Sequence, residues 1–418
     1  MPKDVNPKKL ILDQLNDQLR VKGFNTIHLK PGEGYDTAIA AAEATLAGTV
    51  SPAPKSVVVE VVSDWSEEDL TETEKLIEEH SPEPVTALSL PMMNPVIEVV
   101  FDPGNRSILL YDGKKLVKLD SLYAWLSGNR KPARVNSQSA LVEIHTSEGS
   151  SEFNGSRYVI GESASRQPRY ERVYNRPKFE ESLLYLLPCV AKLFPTSEQL
   201  MLAVKVNATE AELHQSVLER KLLGTTEAKV DERSLTVKIV SVTAFEEGLG
   251  AWYLLNDHQP QLKGQYTGVL NLGGATIDSI LVESDGYVLA EASFRSPKGG
   301  TFDLATEIRR VITADRADVA YLEVDAIMNC LETGDYIIDG YDFSSIVRDE
   351  IDNWFKSIMG KTQAVWASYF HKITRYILTG GSAYLVADKA ARSPKFHITP
   401  NPVQDNIIGL YGRQKIDV

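Results

Sequence analysis

The feature that most constrains this chain is a strand-and-turn unit that occurs twice, about 170 residues apart. Val96–Phe101 is a nearly continuous apolar run, the pattern of a strand covered on both faces. It breaks at Asp102-Pro103-Gly104-Asn105 and resumes as Ile108-Leu109-Leu110-Tyr111, after which Asp112-Gly113 turns the chain into Leu116–Leu119. The second copy begins with Tyr266–Leu270, passes through Asn271-Leu272-Gly273-Gly274-Ala275, and continues as Thr276–Val282. Asp285-Gly286 then leads into a third strand at Tyr287-Val288-Leu289. Two copies of one unusual design predict a duplicated α/β fold. Their glycine turns would stand on opposite walls of one cleft, offering backbone N–H groups to the same phosphate chain.

The remaining pattern fits around these units. Arg130–Arg176 reads as loop-rich, Phe179–Phe194 as a helix, and Met201–Val206 and Ser234–Val242 as strands. Helices are predicted at Phe302–Thr313 and Phe343–Phe370, and a strand at Tyr376–Leu378. Residues 1 to 93 read as a separate small α/β domain, with helices at Pro7–Lys22, Asp36–Leu46 and Ser66–His80 between short strands. Its Pro31–Gly34 segment precedes a helix and has the composition of a phosphate cradle, but a plain turn is the simpler reading.

Composition sets outer bounds. No apolar run reaches the roughly eighteen residues of a membrane span, and the N-terminus MPKDVNPKK lacks the apolar stretch of a signal peptide, so a cytoplasmic protein is expected. The net charge of −13 opposes direct binding to a nucleic-acid backbone; any link to DNA would run through an adaptor. Cys189 and Cys330 stand alone and read as neither metal ligands nor a disulfide.

Three turns carry the chemistry. In Asp102–Ser107, Gly104 lets the backbone approach a phosphate, Asn105, Arg106 and Ser107 lie in the same turn, and the Asp102 carboxylate can hold a magnesium-bound water. In Asn271–Asp278, Gly273, Gly274 and Ala275 can wrap a terminal phosphate while Thr276 donates its hydroxyl. In Thr379-Gly380-Gly381-Ser382, a strand passes through a glycine turn into the helical segment Tyr384–Ala391, which suits a polar or anionic ligand edge. Taken singly, the first is more often just a turn, and the second and third are equally well an ordinary bulge or turn.

Together and in this order the three resemble the phosphate-1, phosphate-2 and adenosine motifs of the actin, sugar-kinase and heat-shock-chaperone ATPase superfamily. Thr243–Trp252 and Asp405–Leu410 resemble its two connecting segments, so the resemblance covers about residues 95 to 415. It implies an actin-like two-lobed fold of duplicated ribonuclease H-like domains: lobe I at 94–240 with a return at 400–418, and lobe II at 241–399. The segment Tyr158–Ala164 is similar to the ParM and StbA-like bacterial actins that segregate plasmids. That likeness implies ATP, or alternatively GTP, bound with Mg2+, self-association into filaments, hydrolysis, and coupling to DNA through an adaptor protein. It also implies that Glu247 positions the attacking water; without the flanking motifs, Glu246-Glu247 would read as a solvated helix start.

Three departures qualify the resemblance. Asn271 stands where the superfamily usually has Asp, which implies a weaker metal site, slower hydrolysis, and a gain on Asn271→Asp. Leu109 stands where Lys or a small polar residue is usual, leaving Arg106 as the nearby cation. The N-terminal 93 residues are an addition. Besides a filament-forming ATPase, two functions stay open: a non-hydrolysing nucleotide-binding scaffold with Asn271 as its signature, and a small-molecule kinase, for which no further Asp motif is present.

Overall fold

The first repeated unit folds as an antiparallel meander, β1 (Val96–Pro103), β2 (Ser107–Tyr111) and β3 (Leu116–Asp120). The structure is a computed structural model that describes residues 95–128, 132, 134–172, 178–319 and 321–415. The expected small domain of residues 1–93, with its Pro31–Gly34 turn, lies outside the described residues. The chain continues through β4 (Leu122–Trp125), β5 (Ser139–Ser147), β6 (Arg157–Gly161), β7 (Glu171–Arg172) and helix α1 (Ser182–Leu193). β8 (Gln199–Ala208), α2 (Ala211–Leu222), β9 (Gly224–Val230) and β10 (Arg233–Glu246) follow. The ten strands form one sheet in the order β3-β2-β1-β8-β10-β9-β5-β6-β4-β7. β1 and β8 pair in parallel within it, with Val99 opposite Val204, and Val99, Val100 and Phe101 are all buried, so the β1 run has no polar face in its middle.

Of the stretch expected to be loop-rich, residues 134–172 are more ordered than their composition predicts. β5 buries Ala140, Val142 and Ile144 on one face while Glu143 and His145 point away, and β6 pairs with it. The alternation is genuine, but polar residues on the open face and the Asn-Ser-rich flank hide it.

The second sheet starts after helix α3 (Leu249–His258) and contains β11 (Tyr266–Leu272), β12 (Ile277–Val282) and β13 (Phe294–Ser296). Helices α4 (Thr301–Asp315) and α5 (Val324–Thr333), the small hairpin β14 (Ile337–Ile338) and β15 (Tyr341–Asp342), and α6 (Ser344–Val365) come next. β16 (Ile373–Thr379), α7 (Ala387–Ala390), β17 (Phe396–Ile398) and α8 (Asp405–Leu410) complete it, with sheet order β13-β12-β11-β16-β17. The repeat is shallower than the sequence predicts. Tyr287–Leu289 makes only a single bridge, Val288 with Val282, because the tight Asp285-Gly286 turn is followed at once by a one-turn 3-10 helix at Ala290–Ala292. The third strand is instead β13, paired with β12.

Each sheet has its own core, and a third apolar layer joins them. Val100 and Leu109 from the first sheet meet Val269, Ile280 and Ile377 from the second, with Trp252 of α3 and Ile407 of α8 between. Leu109 is only 1% exposed there, in an apolar layer that suits leucine. Within it α3 and α8 cross backbone to backbone. A Cβ on Gly250 would lie 1.7 Å from the Asn406 carbonyl oxygen, and one on Gly409 would lie 1.9 Å from the Gly250 carbonyl oxygen.

Gly250→Ala should therefore cost about 3 kcal/mol, since the obstructing atom is backbone. Gly360→Ala, where a Cβ meets nothing within 4 Å on α6, should gain about 0.5–1 kcal/mol. Thermal melts check both; equal midpoints for Gly250→Ala and the parent would show that the crossing is not tight.

Candidate functional site

The three glycine turns, two from one sheet and one from the other, open onto a single cavity of about 360 Å3. Asp102, Gly104, Asn105, Arg106 and Ser107 line it from the first sheet. Gly273, Gly274 and Thr276, and then Gly380, Gly381 and Ser382, line it from the second, with Glu247 and Asn271 between. Two expected residues stand apart. Ala275 faces the neighbouring surface, its carbonyl accepting from the Gly300 N–H, and Thr379 is fully buried behind the wall, its hydroxyl donating to the Pro402 carbonyl at 3.2 Å.

Local geometry explains the glycines. A Cβ on Gly104 would meet the Ser107 carbonyl at 2.4 Å, so the first turn closes only around a bare α-carbon. Gly380 has φ +85°, and a Cβ there would lie 2.5 Å from Asn271 Oδ1. The second and third turns are fastened to each other by the Ser382 N–H donating to the Leu272 carbonyl at 3.0 Å. The second is also seated on the start of α4, where the Phe302 N–H donates to the Gly274 carbonyl at 2.8 Å.

The cavity floor carries a buried charge cluster, and its one lysine was not legible in the sequence. Lys178 Nζ donates to Glu247 Oε1 at 3.1 Å, and Asn271 Nδ2 donates to Glu247 Oε2 at 2.8 Å. Burial alone would raise the Glu247 carboxyl, but the Lys178 charge and hydrogen bonds from Asp278 and Lys178 hold it below its ordinary range. Asp278 moves the other way, well above its ordinary range, through burial and then the Glu247 charge. Burial likewise pushes Asp102 up to about 7, with Glu247 adding to the effect and Lys178 and Asn207 opposing it. For Lys178, burial works against the ammonium, and the charges of Glu247 and Asp102 outweigh it. The floor thus favours an ammonium on Lys178 and an ionised Glu247, and disfavours charge on Asp278.

Lys178 lies 69 residues from Glu247 in a segment with no motif, so nothing local marked it. Asn207 was missed as well; it closes the apolar β8 beside Asp102, and its buried Oδ1 has no partner on the cavity wall. Arg106, the expected phosphate cation, is held by Glu332 of α5 in a two-pronged ion pair at 2.6 and 2.5 Å. Cys189 and Cys330 are both free thiols. Among the described residues no group of three or more His, Cys, Asp or Glu is placed to hold a metal, and no helix is long and apolar enough to cross a membrane.

No family model and no curated protein matches this sequence. Solved structures do match the fold. A ParM filament from Clostridium botulinum superposes with a TM-score of 0.63 at 19% identity, over 76% of this chain and 98% of that one. The chain has the actin-like fold. An archaeal actin homolog superposes with a TM-score of 0.61 at 14% identity, over 75% of this chain and 98% of the other. Bacillus thuringiensis ParM with ATP gives 0.55 at 14% identity, over 75% and 96%. In this actin-like chain the two sheets and the α3–α8 crossing between them frame the cavity.

Glu246, next to the cluster, provides a test of its electrostatics. Burial pushes its carboxyl up to about 7, against the Ala211 N–H at 2.7 Å and with the Glu247 charge. The native state therefore keeps a proton that the unfolded chain releases above its ordinary 4.5, and stability falls as pH rises through this window. Glu246→Gln should be more stable than the parent at pH 8 by about 3 kcal/mol, with the difference closing near pH 4.5. Urea titrations at the two pH values measure it; a constant difference would refute the assignment.

Proposed function

We propose that this chain binds ATP in the cavity between its two sheets, self-associates into filaments, and hydrolyses the nucleotide slowly, in a segregation or related cytoskeletal role. The observation that carries this reading is the convergence of three separate glycine turns on one cavity. In it the first two turns, Gly104–Ser107 and Gly273–Thr276, hold the phosphates through backbone N–H groups. The third, Gly380–Ser382, faces ribose and base, beside an apolar wall of Met328, Tyr384 and Val403. GTP is the alternative nucleotide. Lobe I at 94–240 with the return at 400–418, lobe II at 241–399, and a separate domain at 1–93 are the division that goes with it. The solved neighbours include filaments and nucleotide complexes, which supports the reading.

Glu247 is the group that orients the attacking water, and its pairing with Lys178 keeps it ionised for that task. Magnesium, when bound, neutralises charge on the transferring phosphoryl group. Asp102 and Asn207 fit it through its water, the orphaned Asn207 Oδ1 being an oxygen acceptor without another use. Asn271 does not fit that role, because its amide is engaged at both ends. Coupling to DNA would run through an adaptor protein.

Electron microscopy and pelleting with and without ATP and Mg2+ test the assembly; sedimentation as a monomer under every condition would end the filament reading. Glu247→Gln should lower phosphate release about a hundredfold while filaments still form with ATP. Nucleotide binding with no phosphate release by the parent chain would favour the scaffold, and ATP consumption that depends on an added sugar or carboxylate would favour the kinase.

A further inference from the structure

We propose that Asn406 is a positioning residue for Glu247, acting through Asn271; the inference rests on the reading of Glu247 as the group that orients the attacking water. Three side chains form a line along the cavity wall. Asn406 Nδ2 donates to Asn271 Oδ1 at 3.3 Å, and Asn271 Nδ2 donates to Glu247 Oε2 at 2.8 Å. All three are buried, at 4% exposure for Asn406 and 6% for Asn271 and Glu247. The Asn271 amide accepts once and donates once, so the line has one direction and ends on the carboxylate. Lys178 holds the other carboxylate oxygen at 3.1 Å, and the two contacts together fix the plane of Glu247.

This arrangement gives Asn271 a purpose that the comparison with Asp obscured. An amide can accept from Asn406 and donate to an ionised carboxylate at the same time. Asp at this position has no donor and would set a second carboxylate against Glu247, in a pocket where burial already penalises charge. The surrounding backbone keeps room for the amide, since Gly380 is bare where a Cβ would sit 2.5 Å from Asn271 Oδ1.

Asn406 also stands where the two sheets meet. Its carbonyl oxygen is the atom that a Cβ on Gly250 would strike at 1.7 Å, so its backbone belongs to the α3–α8 crossing while its side chain reaches the second and third turns. A displacement of α8 against β11 is thereby passed to Glu247 by two hydrogen bonds. The N-terminal residues of α8, rather than the turns alone, set whether the carboxylate faces its water.

Asn406→Asp keeps the shape and removes the donor, so Asn271 turns its Nδ2 toward the new carboxylate and leaves its oxygen facing Glu247. In the full chain with ATP and Mg2+, phosphate release should fall about thirtyfold while the affinity for a fluorescent ATP analogue stays within about threefold. Asn406→Ala, which introduces no charge, should show the same split between turnover and affinity. Turnover within about twofold of the parent in both variants, or equal losses of turnover and affinity, would overturn the proposal. A crystal structure of N406D supplies a readout free of turnover: Glu247 displaced from Asn271 supports the relay, and Glu247 still bonded to both Lys178 and Asn271 refutes it. A parent chain that binds ATP and releases no phosphate would sink the hydrolysis reading alone.

Discussion

The contact on which the rest of this structure depends is the crossing of α3 and α8 at Gly250 and Gly409. The two sheets each have a core of their own. They meet in a modest apolar layer, and the glycines let the helices within it approach to backbone contact. That approach places the β1–β2 turn of the first sheet opposite the β11–β12 and β16 turns of the second at the width of one cavity. A single methyl group at the crossing would spread the helices and, with them, the turns. Geometry at the cavity is therefore set in part by the packing of α3 against α8, whose Asn406 lines it.

The sequence made the recurrence of the strand-turn unit legible because both copies begin with strands buried on two faces, and such runs stand out from any background. The three glycine turns were legible for a related reason, as interruptions of those runs. What failed were features whose cause is distant. β5 and β6 exist because β9 offers them an edge, and their open faces carry enough polar residues to look like loop. The strand expected at Tyr287–Leu289 is displaced by the 3-10 turn that follows it. Lys178 belongs to the cluster only because α1 begins beside the end of β10, a juxtaposition with no local signature. Asn271 was legible as a departure but not as a link, since its meaning depends on Asn406, 135 residues away.

Burial and charge on the cavity floor act together. Asp102, Glu247 and Asp278 share one ammonium, in surroundings that cannot solvate three ionised carboxylates. The arrangement resolves this by concentrating the charge on Glu247, which has the lysine and an amide donor beside it, and by raising the other two. Asp278 accepts only from the neutral hydroxyls of Thr209 and Thr276, whereas Glu247 has the charged donor. Specificity of orientation, more than stability, is what such a cluster supplies, because an apolar floor of the same volume would be at least as stable.

The same accounting explains how a chain of net charge −13 builds a cavity suited to phosphates on the proposed reading. Of the cations that line it, Lys178 is paired with Glu247 and Arg106 with Glu332, and the exposed Lys118 of β3 lines it as well. Much of what the cavity offers an anion is dipoles: N–H groups of the glycine turns, held in place by bonds such as Ser382 to Leu272 and Phe302 to Gly274. Fixed dipoles need no counter-charge nearby and no side-chain ordering when a ligand arrives, so they tolerate acidic surroundings that would disable a site built from lysines. Glycine is required at Gly104 and Gly380 because the backbone itself would collide with any side chain there, and the chemistry of the site follows from that steric rule.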